Sequence, residues 1–366
     1  MIPTVDELEI SLFGPGYGES VLIHVGEGNW IIVDSCVDNQ TNQPAALHYL
    51  KNIGVDPSES VKLIIATHWH DDHVRGLGKT FEECIKAAFV CTTAIQTREF
   101  AKLIERNKIR NNLSDMDSGV DEFTSILKIL RSRNKHPKYA LADRKIWHFE
   151  PEDSSFLSEC KVYSLSPSDV EVDKTLNDIS KIIPDIGMSL GRMPAPSQND
   201  SAVVLWVDMG HENIVLLGSD LEENSNDQTG WSAIIKSYSA KSGKASIFKV
   251  AHHGSNNGFH QPVWDEMLYP KSSALLTPFT RGKVSLPSER DTKRILSKTD
   301  NAYITSRQNS SKKVKSRERF VTKIIDQYTL SIRTIEPSCG HIKMRRSLRK
   351  PDEKWEIELK GGASEL

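Results

Sequence analysis

The chain has 366 residues with 47 Lys and Arg against 49 Asp and Glu, long enough for one large domain or two ordinary ones with a sizeable core. A formal net charge of -2 speaks against a wholesale nucleic-acid coat or an acidic tail, and no apolar run approaches the ~20 residues needed to cross a bilayer. Five scattered cysteines (Cys36, Cys84, Cys91, Cys160, Cys339), never in a CxxC pair, predict reduced thiols rather than a disulfide framework or a thiolate zinc site. The opening "MIPTVDELEI" lacks a basic region followed by an apolar core. The expectation is a soluble, cytoplasmic protein without membrane insertion.

"LEISLF", "SVLIHVG" and "NWIIVDS", interrupted by "GPGYG", read as strands of a hairpin or meander. "AALHYLKNIG" reads as a helix ending at Gly54, and "VKLIIAT" as a buried strand. From about residue 79 to 145 the chain turns helical and charged. "REFAKLIERNKI" and "VDEFTSILKILRSR" carry apolar residues at helical spacing, preceded by a short strand, "AAFVCTT". Strands resume at "KVYSLSPS", followed by a helix, "TLNDISKII", and a hairpin in "SAVVLWVDMGHENIVLLGSD" turning at Gly210 to Asn213. "WSAIIKSYSA" is helical and "SIFKVAHHGS" is a strand ending in histidines. The alternation then repeats through a helix near "PVWDEMLY", a strand "SALLTPF", a helix near "SERDTKRIL" and a strand "AYITS". Residues 307–350 are strongly basic, and "KWEIELKGG" alternates like an edge strand. With no repeat and no linker, the pattern predicts one α/β domain of packed sheets with helices outside.

The densest chemistry is "THWHDDH", residues 67–73, directly after an apolar strand. His68 and His70 are two apart, so in an extended loop both leave the same side and can share one ion. Asp72 and His73 sit where a helix could begin and can turn toward a second ion. Imidazole and carboxylate suit zinc, and also manganese, iron or nickel. Such ligand density has little use in a loop that merely caps a helix. Asp220, at the end of "LLGSD", can bridge two ions or cap a helix. His252 and His253 in "KVAHHGS" follow another apolar strand and can be ligands or a satisfied loop pair. Asp34, ending "NWIIVDS", is a turn carboxylate or a group that orients a ligating histidine. Four strand ends carrying metal-competent groups together point to a single site.

In this order, Asp34, "HWHDDH", "GSD" and "HHGS" resemble the metallo-β-lactamase superfamily, whose hallmark is H-x-H-x-D-H, over about residues 8–305. The resemblance implies a four-layer αββα sandwich with a one- or two-metal site at its edge. On it, residues 1–305 are the hydrolase domain, with a helical insertion at about 96–145. Residues 306–366 are a basic extension packing on or completing the domain. Within the superfamily, "QNDSAVVLWV", "LLGSD" and "KVAHHGS" are most similar to the C-terminal hydrolase domain of ComEC-type DNA-uptake proteins. Carried over by position, the resemblance places His68 and His70 on a first metal. Asp72, His73 and His253 (His252 as the alternative) fall on a second, with Asp220 bridging, and the cofactor is one or two Zn2+ ions, or Mn2+. Asn199 stands where many members have a histidine ligand, and "VSLPSE" lacks a Gly-His-Pro found in the competence branch. The channel of the DNA-uptake proteins has no counterpart in these residues.

Such a site implies hydrolysis by a metal-activated water, with Asp72 orienting the nucleophile or shuttling a proton. It does not choose the bond, because the scaffold hosts several chemistries. The branch likeness and the basic stretch tilt the expectation toward a nuclease or nucleotide phosphodiesterase. That stretch includes Lys312, Lys313, Lys315, Arg317, Arg319, Lys343, Arg345, Arg346, Arg349 and Lys350. Lys312, Lys313, Arg345 and Arg346, together with Arg281 and Lys283, are the candidate phosphate contacts; the alternative is a solvated face. Two other readings are a hydrolase of small esters or lactones and a non-catalytic accessory or binding module. The intact ligand motifs speak against the module. A homo-oligomer or a neighbouring protein partner stays open, and the insertion can be a lid, an interface or plain packing.

Overall fold

The computed structural model describes residues 1–14, 18–96, 118–152, 159–182, 198–210, 213–238, 243–281, 284–306, 339–350 and 352–366. In chain order the strands are β1 (Glu7–Gly14), β2 (Ser20–Val25), β3 (Trp30–Val33), β4 (Val61–Ala66), β5 (Ala88–Thr92) and β6 (Lys138–Ala140). There follow β7 (Arg144–Phe149), β8 (Cys160–Ser164), β9 (Leu205–Asp208), β10 (Ile214–Leu217), β11 (Ala245–Lys249) and β12 (Leu268–Leu276). The last are β13 (Phe279–Arg281), β14 (Val284–Leu286), β15 (Ala302–Ile304), β16 (Gly340–Ser347), β17 (Glu356–Lys360) and β18 (Ser364–Glu365). One sheet runs β17-β16-β1-β2-β3-β4-β5-β6 and the other β18-β15-β12-β11-β10-β9-β8-β7; β13 and β14 form a separate hairpin.

Period-two alternation explains the layering. Leu8, Ile10, Leu12, Ile31, Leu63 and Ile65 of the first sheet face Val162, Leu205, Val207, Val215, Ile247 and Leu275 of the second in one buried core. The opposite faces are covered by helices. Ile32 and Ile64 pack with Leu47 and Leu50 of Ala45–Asn52, Phe81 of Leu77–Glu83, and Phe123 and Ile126 of Ser118–Ser132. On the other side Trp206, Leu216 and Phe248 meet Trp231 of Gly230–Tyr238, Met267, and Ile295 of Glu289–Leu296. Each such fully buried side chain contributes about 1.5–3 kcal/mol. Helix, sheet, sheet, helix is the expected four-layer sandwich.

One feature differs from the sequence expectation. Toward and just past the end of the stretch read as helical and charged, Lys138–Ala140 and Arg144–Phe149 are short strands at the far edges of the first and second sheets. They are short, and only Ala140 and Ile146 in them are buried, so edge pairing rather than an apolar run holds them. The described part of the C-terminal segment completes both sheets: β16 pairs with β1, β17 with β16, and β18 with β15. The helix "REFAKLIERNKI" lies outside the described residues, as do Lys312, Lys313, Lys315, Arg317 and Arg319. The described helix Ser118–Ser132 packs on the outer face, where Glu122 accepts hydrogen bonds from Gly76 N and Gly78 N, both at 2.7 Å. No helix among the described residues is long and apolar enough to cross a membrane.

Candidate metal centre

In both sheets the strands that feed the site are parallel: β3 with β4, and β10 with β11 and β12. Their C-terminal ends therefore open on one edge, where α/β proteins generally place ligands. Asp34 follows β3, residues 67–73 follow β4, Asp220 follows β10, His253 follows β11 and Thr277 follows β12. The loops are tied to one another: Val203 N donates to Thr67 O at 3.1 Å across the two sheets, and His252 N to Ser219 O at 2.9 Å between the ends of β10 and β11. Gly218 makes one tie possible, since a Cβ there would lie 2.9 Å from Ala251 N. Left-handed backbone occurs in these loops, at Asp34 (φ 60°), Ser219 (φ 47°), His252 (φ 47°) and His253 (φ 55°). Each costs about 1–3 kcal/mol unless its surroundings over-determine it.

The one-turn helix Asp71–Val74 points Asp72 and His73 inward, and both are buried. His73 Nε2 lies 3.3 Å from Asp220 Oδ1 and 4.0 Å from Asp72 Oδ2. His253 Nε2 lies 3.6 Å from Asp72 Oδ2 and 3.5 Å from Asp220 Oδ2. One ligand atom from each of Asp72, His73, Asp220 and His253 falls within 4.8 Å of the others. The His68 ring sits 4.2 Å from that of His73 and 4.9 Å from that of His70, so both remaining histidines of the motif adjoin the group. His68 Nε2, His73 Nε2, Asp220 Oδ1 and His253 Nε2 are all buried and without a hydrogen-bond partner. Orphaned ligand atoms of this kind, converging on carboxylates, fit a divalent cation.

The groups behind the cluster decide which imidazole nitrogen faces it. Asp34 accepts from Thr67 N (2.8 Å), Thr67 Oγ1 (2.7 Å) and His73 Nδ1 (2.7 Å). Because the Thr67 hydroxyl gives its proton to Asp34, it can only accept from His68 Nδ1, 2.9 Å away. Both rings therefore turn Nε2 inward. His253 Nδ1 meets Thr277 O at 3.2 Å and Thr277 Oγ1 at 3.1 Å.

Burial and charge oppose each other here. Burial drives His68 well below its ordinary value and lowers His70. Burial also works against His253, but Asp220 and Asp72 outweigh it and raise it to about 9. Likewise His73 is raised well above its usual value by Asp220, Glu19 and Asp34. Burial opposes ionisation of Asp72 and Asp220 too, yet the imidazoles beside them hold both below the carboxylate range.

Of the two adjacent histidines, His253 joins the cluster. His252 turns aside, with Nδ1 3.4 Å from Glu222 Oε1 and Nε2 3.4 Å from Asn199 Nδ2. Asn199 also donates to Glu222 Oε1 at 2.7 Å. Among the candidate phosphate contacts, Lys283 and the side chain of Arg281 lie outside the described residues. Arg345 is committed inside the fold: its Nε donates to Glu9 Oε2 at 2.6 Å. Arg346 is buried, bonds Asn213 Oδ1 at 2.7 Å and lies 4.4 Å over the Trp355 ring. Glu9 lies five residues before Gly14, the end of β1 that approaches Thr277, so this pair is about 17 Å back along the strand from the site. Sequence reading missed Glu19, Thr67, Thr277 and Lys249. The available signal was Lys249, a charge in the otherwise apolar "SIFKVA".

Residues 13–96 match the family model of the metallo-beta-lactamase superfamily. No curated protein matches the chain. Among solved structures, it is similar to a metallo-beta-lactamase with a HARLDQ motif from Cronobacter sakazakii, at 12% identity and a TM-score of 0.35, covering 65% of this chain and 76% of that one. It is also similar to the metallo-beta-lactamase fold protein YhfI from Bacillus subtilis, at 12% identity and a TM-score of 0.31, covering 66% and 71%. Asp34 and "THWHDDH" lie inside the residues that match the metallo-beta-lactamase superfamily model, and the two packed sheets flanked by helices around them are consistent with that superfamily's sandwich fold.

Proposed function

We propose that the chain is a metal-dependent hydrolase that cleaves phosphodiester bonds of nucleic acid or a nucleotide. The hydrolase reading is supported by the ligand atoms of Asp72, His73, Asp220 and His253 lying within 4.8 Å of one another, with unpartnered buried atoms on His73, Asp220 and His253 and on the adjoining His68. His68 and His70 would hold one ion, and Asp72, His73 and His253 a second, with Asp220 shared. A divalent cation there supplies Lewis acidity and makes an attacking water acidic at neutral pH. Asp72, buried within the cluster, would orient that water and take up its proton. Asp34 and Thr67 hold the rings of His73 and His68 so that neither can turn away.

The choice of a phosphodiester rests on the likeness of "QNDSAVVLWV", "LLGSD" and "KVAHHGS" to the ComEC-type hydrolase domain. The internal commitments of Arg345 and Arg346 favour a second reading, hydrolysis of small esters or lactones, because they take two cations from the basic face. The test offers labelled single- and double-stranded DNA, RNA, bis(p-nitrophenyl) phosphate, p-nitrophenyl acetate and a lactone, with Mn2+ or Zn2+, beside an Asp220→Asn control. Metal-dependent phosphodiester cleavage that the control lacks supports the proposal. Ester or lactone turnover alone moves it to the second reading, and a protein with neither metal nor turnover overturns both.

A further inference from the structure

Lys249 closes β11 with 1% exposure, beneath the ligand set. Its Nζ pairs with Glu19 Oε1, donates to Ser219 O at 3.1 Å and lies 3.9 Å from Asp220 Oδ1. Glu19, 2% exposed, reaches the cluster from the start of β2. Its Oε1 is 3.6 Å from His73 Nδ1, and its Oε2 accepts from Thr277 Oγ1 at 2.5 Å and lies 3.9 Å from His253 Nδ1. Because the Thr277 hydroxyl gives its proton to Glu19, its oxygen faces His253 Nδ1 only as an acceptor. Thr277 O is the second acceptor. The proton of neutral His253 therefore sits on Nδ1, and Nε2 is left to face Asp72 and Asp220. An ion pair buried this deeply is a poor source of net stability, since desolvating both charges offsets their attraction. What it does supply is fixed geometry.

We propose that Lys249, Glu19 and Thr277 form a positioning network for the metal ligands. Lys249 fixes Glu19 and the Ser219–Asp220 turn, and Glu19, through Thr277, fixes the ring plane and tautomer of His253. The inference rests on the reading that this cluster holds a divalent cation. It makes an expectation that charge alone would reverse: removing a positive group near four carboxylates should tighten cation binding, whereas removing a positioning group should weaken it.

The experiment measures Zn2+ affinity of the full chain by competition with a chromophoric chelator and records the visible absorption of the Co2+-loaded protein. Far-UV circular dichroism and the melting temperature of the metal-free protein report folding. K249M and T277V are expected to lose roughly 10–100-fold in Zn2+ affinity and to change the Co2+ spectrum, while T277S restores both. T277V keeps the side-chain shape, so it carries the test if K249M fails to fold. Unchanged affinity in T277V, or tighter binding in K249M, overturns the positioning role while leaving the proposed function standing. A wild-type chain that takes up neither ion overturns both.

Discussion

Replacing Asp34 by alanine tests the link between the strand ends and the cluster. The Asp34 carboxylate is buried and accepts three hydrogen bonds at 2.7–2.8 Å, from Thr67 N, Thr67 Oγ1 and His73 Nδ1. Each bond to a charged acceptor contributes about 1.5–3 kcal/mol, and its loss leaves a buried donor unpaired. Burial of the carboxylate itself offsets part of this, because it raises the acid above its ordinary range despite His73 and Thr67. The net expectation is a loss of about 3–5 kcal/mol, a large share of the roughly 5–15 kcal/mol that holds a domain folded. His73 and His68 also lose their orientation, so Zn2+ affinity should fall roughly 10–100-fold. Urea unfolding of the metal-free protein, followed by circular dichroism, measures the first effect and chelator competition the second. A stability change under about 1 kcal/mol, with unchanged affinity, would refute the reasoning that these bonds hold the site.

Three further outcomes follow from the same geometry. His253 is raised to about 9 in the folded chain, so its stabilising contribution is complete below about 6.5 and is lost as pH rises through about 9. A cation takes the place of the Nε2 proton, so Zn2+ affinity should climb over that window. Competition titrations across it check the sign, and a flat or falling affinity would contradict it. H253A should lose bound metal by elemental analysis while H252A keeps it, because His252 faces Glu222 and Asn199 instead; equal loss in both would remove the distinction. R346A should lose about 2–3 kcal/mol in urea unfolding, from the buried bond to Asn213 and the contact with Trp355. It should leave the salt dependence of any DNA binding unchanged, whereas a shallower salt slope would instead mark Arg346 as a phosphate contact.

Local pattern carried much of this protein. The strands "LEISLF", "SVLIHVG" and "VKLIIA" could be read because alternation or continuous apolarity is a property of neighbouring residues. "THWHDDH" was legible for a similar reason: its candidate ligands lie one or two residues apart, so a short loop and one helical turn suffice to aim them. Asp34, Asp220 and the histidine pair were visible as polar groups terminating apolar strands. β6 and β7 were not, since short edge strands are held by pairing with distant residues rather than by their own periodicity.

By itself, then, the sequence determined an α/β domain of packed sheets with helices outside and the residue types of the candidate ligands, because both are written in residue type and spacing; the four-layer arrangement was what the family resemblance implied. Only the tertiary structure separated His253 from His252. They follow the same strand, and the left-handed backbone at both, with Thr277 arriving from β12, decides which ring enters the cluster. Only the tertiary structure brought Glu19 and Lys249, 230 positions apart in the chain, into one buried pair, and turned Arg345 and Arg346 from a presumed surface charge into internal partners of Glu9 and Asn213. A charge's role depends on what lies across from it, and pairings between strands far apart in the chain leave no local mark in residue order.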